Sequence, residues 1–110
     1  MTINQRKKDY LKKLPRIVSA LKKGYKPEKI ILFGSLTDKK IDSNDIDLFL
    51  VKKTTVGRLG DRAIRARQYI PFPEIPMDLI VYTSEEIDRE LKRGNVFIAE
   101  ILEKGKYLYG

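Results

Sequence analysis

The sequence predicts a small α/β (α+β) domain in which a few strands form one sheet flanked by helices. The chain has 110 residues, which is room for one domain spanning residues 1–110. Apolar residues make up 42% of the chain, enough for a compact core. The apolar periodicity changes between helical and strand spacing in the order helix, strand, strand, helix, strand, helices.

The first two predicted elements are a helix and a buried strand. Apolar residues between Tyr10 and Leu21 recur at steps of three and four, which is typical of one face of an amphipathic helix. Pro15 interrupts this pattern, so either a helix begins there or a longer helix kinks. Consecutive apolar residues in Lys29–Phe33 then predict a short buried strand, which ends at Gly34.

Two further strands are predicted, and each begins with acidic residues. Alternation over 45–51 predicts a strand with Asp45 and Asp47 on the same side, because residues i and i+2 of a strand point the same way. Residues 78–82 predict a third strand that begins with Asp78. Two acidic residues on one side of an otherwise apolar strand are unusual, so Asp45 and Asp47 are candidates for a functional role.

The remaining segments predict helices with recognisable ends. A helix is predicted over roughly 58–70, with four residues facing the core: Leu59, Ala63, Ala66 and Ile70. Its arginines are placed on the solvent side: Arg58, Arg62 and Arg65. Thr-Ser-Glu-Glu at 83–86 is a capping box that begins another helix. Asn95 can cap a last helix, and residues 107–109 predict a short strand.

The net charge of +8 is concentrated in the first quarter of the chain. Residues 1–27 carry nine basic side chains and one acidic side chain, whereas residues 28–110 carry 14 of each sign. Because a basic segment attracts polyanions, a small nucleic-acid-binding protein is one hypothesis, and a solvated helix face is the more ordinary interpretation. No apolar run is long enough to span a membrane and no signal peptide is recognisable, so we expect a cytoplasmic protein.

The sequence contains neither Cys nor His. This composition excludes disulfides, thiolate or histidine-ligated zinc, and nucleophilic catalysis by Ser-His or Cys-His pairs. If the chain is an enzyme, it must therefore work with carboxylates, hydroxyls, amines and hard metal ions.

Three features flanked by apolar strand sequence are expected at strand ends of one sheet. Asp45 and Asp47 would repel each other beside a low-dielectric sheet unless a cation lies between them. Their oxygen ligands suit Mg²⁺ or Mn²⁺. With Asp78 from a neighbouring strand there would be room for two ions about 3.5–4 Å apart. The backbone of Gly34 and the hydroxyl of Ser35 would offer hydrogen-bond donors to phosphate.

Each of these features also has an ordinary interpretation. Gly34 and Ser35 could form a simple turn after a strand, and Asp45 and Asp47 could be turn and cap residues. Asp78 could be an edge-strand charge that prevents aggregation. If there were no functional site, all three ordinary interpretations would have to be true at once. Because the three features also occur in the expected order and on adjacent predicted strands, their combination favours a functional site.

Longer stretches around these residues resemble a known family. Ile-Leu-Phe-Gly-Ser at 31–35, followed after nine residues by Asp-Ile-Asp-Leu-Phe-Leu-Val at 45–51, resembles the signature of the minimal nucleotidyltransferases, small members of the DNA polymerase β-like superfamily. Pro-Met-Asp-Leu-Ile-Val-Tyr-Thr at 76–83 is similar to the strand with that family's third acid, and residues 103–109 are similar to its closing segment. The resemblance covers about residues 15–109 and implies a polymerase β-like fold with a small mixed β-sheet flanked by helices.

The resemblance also implies an activity and a set of site residues. Gly34 and Ser35 would hold the β- and γ-phosphates of a nucleoside triphosphate, expected to be ATP. Asp45 and Asp47 would bind both of two Mg²⁺ ions, with Mn²⁺ as the alternative metal. Asp78 would complete the site of the ion that activates the acceptor. The implied reaction transfers a nucleoside monophosphate to a hydroxyl group and releases pyrophosphate.

Partners are implied in the same way. Prokaryotic members of the family are often encoded beside a HEPN-domain protein, and some such pairs act as toxin and antitoxin. In some of those pairs the nucleotidyltransferase is the antitoxin and adenylylates a tyrosine of its partner. The resemblance therefore implies a HEPN-domain partner and an antitoxin role. The alternative is a catalytically weak or inactive antitoxin subunit that acts by binding. The basic first helix and the apolar residues 96–102 are candidate contact surfaces, although a solvated face and a core helix are their ordinary interpretations.

The sequence departs from the family pattern in the segment after the Gly-Ser pair. Leu36 stands where the family commonly has Arg, and Lys39 and Lys40 stand where a Gly is common. The spacer before Asp45 is also about one residue short. These changes leave the acidic residues intact but alter the phosphate-binding segment, where Lys39 or Lys40 could replace the missing positive charge.

Overall fold

Residues 3–37 and 44–110 are described by a computed structural model, with side chains from residue 5 onward. In chain order the described elements are α1 (Ile3–Gly24), β1 (Lys29–Phe33), a 3₁₀ helix (Gly34–Thr37), β2 (Ile46–Lys52), α2 (Leu59–Arg67), β3 (Met77–Thr83), α3 (Ser84–Lys92), α4 (Val96–Lys104) and β4 (Lys106–Tyr109). The predicted order of helices and strands is therefore confirmed, including the short last strand.

The four strands form one mixed sheet in the order β3-β2-β1-β4. β1 is antiparallel to both β2 and β4, whereas β2 and β3 are parallel. The carboxyl end of β1 therefore lies beside the amino ends of β2 and β3. With helices on both faces, this sheet confirms the predicted fold class.

Alternation along β2 divides the core into two layers. Ile46, Leu48 and Leu50 join a cluster on the face covered by α1 and α2, with residues such as Ile17 and Ala66. Phe49 and Val51 join a second cluster on the opposite face, where α3 and α4 supply three residues: Ile87, Ile98 and Ile101. Asp47 has the same parity as Phe49 and therefore belongs to the α3–α4 face.

α1 is one continuous helix with Pro15 inside it, so the longer of the two predicted helices is the observed one. Pro15 is on the exposed side of the helix. Water can therefore hydrogen-bond the backbone carbonyl that the missing proline N–H leaves without a helical partner.

The predicted orientation of the second helix is confirmed at Ala66 and Ile70, which are buried, and was wrong at two positions, Leu59 and Arg62. α2 is shorter than expected, and its Arg62 side chain is buried, with 9% of its surface exposed, whereas Leu59 is 43% exposed. The guanidinium of Arg62 donates to both carboxylate oxygens of Glu86, at 2.8 and 2.9 Å, and to the backbone oxygens of Val81 and Gly57. These four hydrogen bonds satisfy the buried charge and explain why this arginine turns inward.

The predicted helix caps of α3 and α4 are confirmed. Thr83 Oγ1 accepts a hydrogen bond from the backbone N–H of Glu86 at 3.1 Å, and Glu86 Oε1 accepts one from the backbone N–H of Thr83 at 2.9 Å. Asn95 Oδ1 accepts from the backbone N–H of Ile98 at 3.1 Å. None of the helices in the described ranges combines the length and the apolar character needed to cross a membrane.

Candidate active site

The sheet topology brings the predicted acidic residues to one end of the sheet. Asp47 and Asp78 are register partners in the parallel pair β2–β3, and Phe33, at the end of β1, is the partner of Asp47 on the other side. Asp45 lies one residue before β2 and is half-buried. The expectation that these acids come from neighbouring strand ends is therefore met by the register.

The three acidic residues interact electrostatically at Asp47. Burial raises the pKa of the Asp47 carboxyl to about 6, and the negative charges of Asp45 and Asp78, together with a hydrogen bond to Asp45, act in the same direction. Each of these causes disfavours the ionised form. The surroundings of the Asp47 carboxyl group therefore disfavour its negative charge, and a bound cation would reverse this effect.

Asp45, Asp47 and Asp78 interact in pairs and are not arranged as three ligands around one metal position. Within residues 3–37 and 44–110, no group of three acidic, histidine or cysteine side chains is arranged to hold a metal ion. Asp47 is instead the shared member of two pairs, one with Asp45 and one with Asp78. The donor set consists of carboxylate oxygens, so its chemistry fits a hard divalent cation such as Mg²⁺. The arrangement of the ligands is less complete than the sequence predicted.

Gly34 connects the end of β1 to this acidic pair. Its backbone has φ +77°, a left-handed conformation that favours glycine. A Cβ atom at this position would overlap Asp47 Oδ2 and lie 2.9 Å from Asp47 Cγ. Glycine is therefore required here both by the backbone conformation and by the close approach of the Asp47 side chain.

Ser35 lies in the 3₁₀ helix that follows, next to the amino-terminal part of α1. Lys7 Nζ donates to the backbone oxygen of Ser35 at 3.3 Å, and Thr37 Oγ1 donates to the backbone oxygen of Gly34 at 2.7 Å. Ser35 itself is half-buried. Thus the predicted phosphate-binding pair lies beside the acidic residues, with a lysine from a distant part of the sequence at its edge.

α1 also contacts the other end of the segment that separates Ser35 from the acids. Arg6 Nη1 donates to Asn44 Oδ1, and Tyr10 Oη donates to the backbone oxygen of Asn44 at 3.1 Å. Sequence analysis identified the charge of α1 but not these contacts, because partners about 30 to 40 positions apart leave no local pattern. The two lysines predicted to replace the missing arginine, Lys39 and Lys40, lie outside the described residues.

A pocket of about 550 Å³ opens between the Gly34–Ser35 turn and α4. Its walls include Phe33 and Phe97, whose rings meet edge to face with centroids 5.9 Å apart, and the side chain of Lys104. Sequence analysis treated α4 as a core helix or a contact surface and missed this role. The sequence does indicate that one face of α4 lines the pocket, because the lining residues recur at helical spacing: Phe97, Glu100, Ile101 and Lys104.

A mixed four-stranded sheet flanked by helices, with acids and a Gly-Ser turn at one end, defines a nucleotidyltransferase-like fold. One solved structure similar to the chain is the crystal structure of a "putative nucleotidyltransferase" from Sulfolobus solfataricus. The two are 26% identical with a TM-score of 0.56, over 79% of this chain and 78% of that chain. No protein-family model matches the sequence, and no curated protein matches it at a significant level. The structural similarity supports a general nucleotidyltransferase class.

Proposed function

We propose that the protein transfers the nucleoside monophosphate of a nucleoside triphosphate, AMP from ATP, to a hydroxyl group. The observation that carries this proposal is the meeting of Gly34, Asp47 and Asp78 at one end of the sheet. A phosphate-binding turn in contact with uncompensated carboxylates is what a reaction at a metal-bound triphosphate needs. The similar fold of the Sulfolobus solfataricus protein supports the same class of reaction.

The reaction exchanges one phosphorus–oxygen bond for another. The acceptor hydroxyl oxygen forms a bond to the α-phosphorus while the bond between the α-phosphorus and the β-phosphate oxygen breaks. Pyrophosphate leaves with the bonding electron pair, and the hydroxyl proton passes to a base or to water. Gly34 and Ser35 would bind the departing phosphates, and Asp47 and Asp78 would bind the ions that bring the acceptor and the α-phosphate together.

Asp45, Asp47 and Asp78 would hold two Mg²⁺ ions, or Mn²⁺, in this proposal. Such ions lower the pKa of an acceptor hydroxyl and neutralise charge on the triphosphate. The raised pKa of Asp47 supports this assignment, because burial and the charges of Asp45 and Asp78 disfavour the ionised carboxyl group and a bound cation would favour it.

The proposed acceptor is a hydroxyl of a second protein, such as a tyrosine of a HEPN-domain partner in a toxin–antitoxin pair. The resemblance of the sequence motifs to the minimal nucleotidyltransferases supports this choice. The apolar side chains of Val96, 75% exposed, and Phe97, 53% exposed, lie on α4 near the pocket and offer contact area.

Label transfer tests the proposal directly. The protein is incubated with Mg²⁺, the product of the adjacent gene, and ATP labelled either at the α- or at the γ-phosphate. We expect the acceptor to gain the α-label and not the γ-label. Asp47→Asn should abolish transfer, while the matched variant Asp88→Asn, on the exposed side of α3, should retain it. Equal labelling with the Asp47 variant would overturn the proposal.

A second candidate function is a binding subunit with weak or no turnover. It is favoured by Leu36, which is buried in the core with 3% exposure and so supplies no charge to the phosphate-binding turn. This candidate predicts that the double variant Asp45→Asn/Asp47→Asn still neutralises the partner. A double variant that binds the partner but no longer neutralises it would contradict this candidate and favour the enzyme.

Nucleic-acid binding through α1 is less favoured by the contacts of that helix. Lys13 forms an ion pair with Asp9 at 2.7 Å, and Arg16 lies over the ring of Phe72 at 4.9 Å. Lys22 also lies over an aromatic ring of this protein. Several cations of the basic helix thus contact the protein's own side chains. Submicromolar binding of RNA or DNA that weakens steeply with salt would reinstate this alternative.

A further inference from the structure

A second pocket lies at the other end of β2 from the acidic residues. Its volume is about 560 Å³, and it lies between the end of α1, the loop after β2 and the end of α2. Five positions of β2 separate Asp47 from Lys52, which is about 17 Å along the strand. The pocket is therefore distinct from the candidate active site, and its size is typical of a small-molecule site. Three of its lining residues are cations and two are tyrosines: Lys26, Lys52, Arg65, Tyr25 and Tyr69.

The three cations come from separate segments and retain hydrogen-bonding capacity. Lys52 Nζ donates to the backbone oxygen of Tyr25, and Arg65 Nη1 donates to the backbone oxygen of Val56 at 2.8 Å. Each bond uses one donor, whereas an ammonium group has three donors and a guanidinium group has five. Lys26 is exposed and has φ +58°, a left-handed conformation that is uncommon outside glycine. The ion pairs found within residues 3–37 and 44–110 involve other basic residues than these three.

The two tyrosines form an aromatic wall beside these cations. Their ring centroids are 5.9 Å apart, and the rings are inclined by 46°. Tyr25 is buried, whereas Tyr69 is 48% exposed. A Cβ atom at Gly24 would overlap Tyr69 Cδ1, so the Tyr69 ring packs directly on the backbone of α1. This ring is thus held in place on one side while almost half of the residue stays accessible, which suits it to stack on a flat heterocycle.

We propose that this pocket binds a nucleoside phosphate at a site separate from the candidate active site. Lys26, Lys52 and Arg65 bind the phosphate, which carries about two negative charges at neutral pH. The base stacks on Tyr69. A nucleotide uses both the cations and the ring, whereas an inorganic anion would use the cations alone. The inference goes beyond the proposed function, because the second pocket binds through cations and needs no Mg²⁺.

This difference in metal requirement gives the test. The unmodified protein is titrated in EDTA with AMP, GMP, CMP and UMP by calorimetry, and the site is located by changes in amide chemical shifts. We expect binding that Asp47→Asn leaves unchanged, with the shifts at residues 24–26, 52–56 and 65–69. Arg65→Gln and Tyr69→Leu should each weaken binding about tenfold. Lys53→Met, in the same loop but outside the lining of the pocket, is the matched control.

A further variant separates binding from folding. The exposed Lys26→Met should weaken binding by a similar factor without changing the thermal unfolding temperature, even if Arg65→Gln or Tyr69→Leu is destabilised. Affinity that is unchanged in Lys26→Met and in Tyr69→Leu would overturn the inference.

Three other results would also overturn it. The first is that none of the four nucleotides binds in EDTA. The second is that inorganic phosphate or pyrophosphate binds as tightly as the nucleotides, since the ring would then contribute nothing. The third is that only single-stranded RNA oligonucleotides bind. Each result leaves the proposed function unaffected. Conversely, AMP binding in EDTA at this pocket, together with a failed label transfer, would contradict the proposed function and support the inference.

Discussion

The two ends of the sheet each hold a partly buried carboxylate, and the two are treated in opposite ways. At one end, burial and the charges of Asp45 and Asp78 raise the pKa of Asp47 to about 6. At the other end, hydrogen bonds from Arg62 lower the pKa of Glu86 to about 2. The same chemical group is thus left uncompensated at one end and fully paired at the other.

This difference indicates separate roles for the two ends. The pair of Arg62 and Glu86 joins α2 to the amino end of α3 and satisfies a buried charge, which stabilises the fold. The Asp47 carboxyl group opposes folding at neutral pH, because burial and the nearby charges of Asp45 and Asp78 disfavour its ionised form. Arrangements that cost stability are typical of functional sites, because a substrate or an ion supplies the missing partner.

Asp47→Asn gives the largest expected effect. Transfer activity should fall about 1000-fold, because one proposed ligand loses its charge. In EDTA the variant should be more stable than the unmodified protein by about 1 kcal/mol, since a repulsive charge is removed, and thermal unfolding should occur about 4 °C higher. A variant that loses both activity and stability would show that Asp47 is compensated in the way that Glu86 is.

Gly34→Ala tests the contact between the turn and the acids. The change forces a Cβ atom into the left-handed conformation at φ +77° and against the Asp47 carboxylate. We expect a loss of about 3 kcal/mol in the free energy of unfolding, measured by urea denaturation, together with a loss of transfer. Gly60→Ala, where a Cβ atom would meet nothing within 4 Å, is the matched control and should be near neutral.

Glu86→Gln tests the paired end and should cost about 2 kcal/mol without affecting transfer. The folded-state pKa of Glu86 is about 2, below its ordinary value, so the ionised form is favoured by folding. Its contribution is present in full above about pH 4.5 and is lost as the pH falls towards 2. The stabilities of the variant and the unmodified protein should therefore converge at acid pH. A difference that persists unchanged to pH 2 would contradict the ionic origin.

Local patterns in the sequence predicted the parts of the fold that depend on near neighbours. The cap of α3 joins Thr83 to Glu86 and the cap of α4 joins Asn95 to Ile98, each three positions apart, so the sequence alone shows both partners. The faces of β2 followed from the alternation of side chains along a strand. Burial on both sides of the sheet explains why all residues of β2 except Asp47 and the terminal Lys52 are apolar.

Long-range contacts were not predictable in this way. Arg62 turns inward because of Glu86, which is 24 positions away, and without that partner an arginine on a helix belongs in solvent. Lys7 contacts the backbone oxygen of Ser35, 28 positions away, and no local sequence pattern indicates this contact either. The candidate site was predicted as far as its acids and its glycine, which have a motif. The lysine that contacts its turn, Lys7, comes from a distant helix and has no such motif.

Thr83→Ala gives the smallest expected effect and divides the paired end into its parts. The variant removes the hydrogen bond from the backbone N–H of Glu86 to Thr83 Oγ1 but keeps the contacts of the Glu86 carboxylate with Arg62 and with the backbone N–H of residue 83. We expect a loss of about 1 kcal/mol, measured by urea denaturation, with transfer unchanged. A loss as large as that of Glu86→Gln would mean that the cap, and not the charge of Arg62, stabilises this end. The difference in stability between the two ends would then come from helix capping, and the lowered pKa of Glu86 would not be its cause.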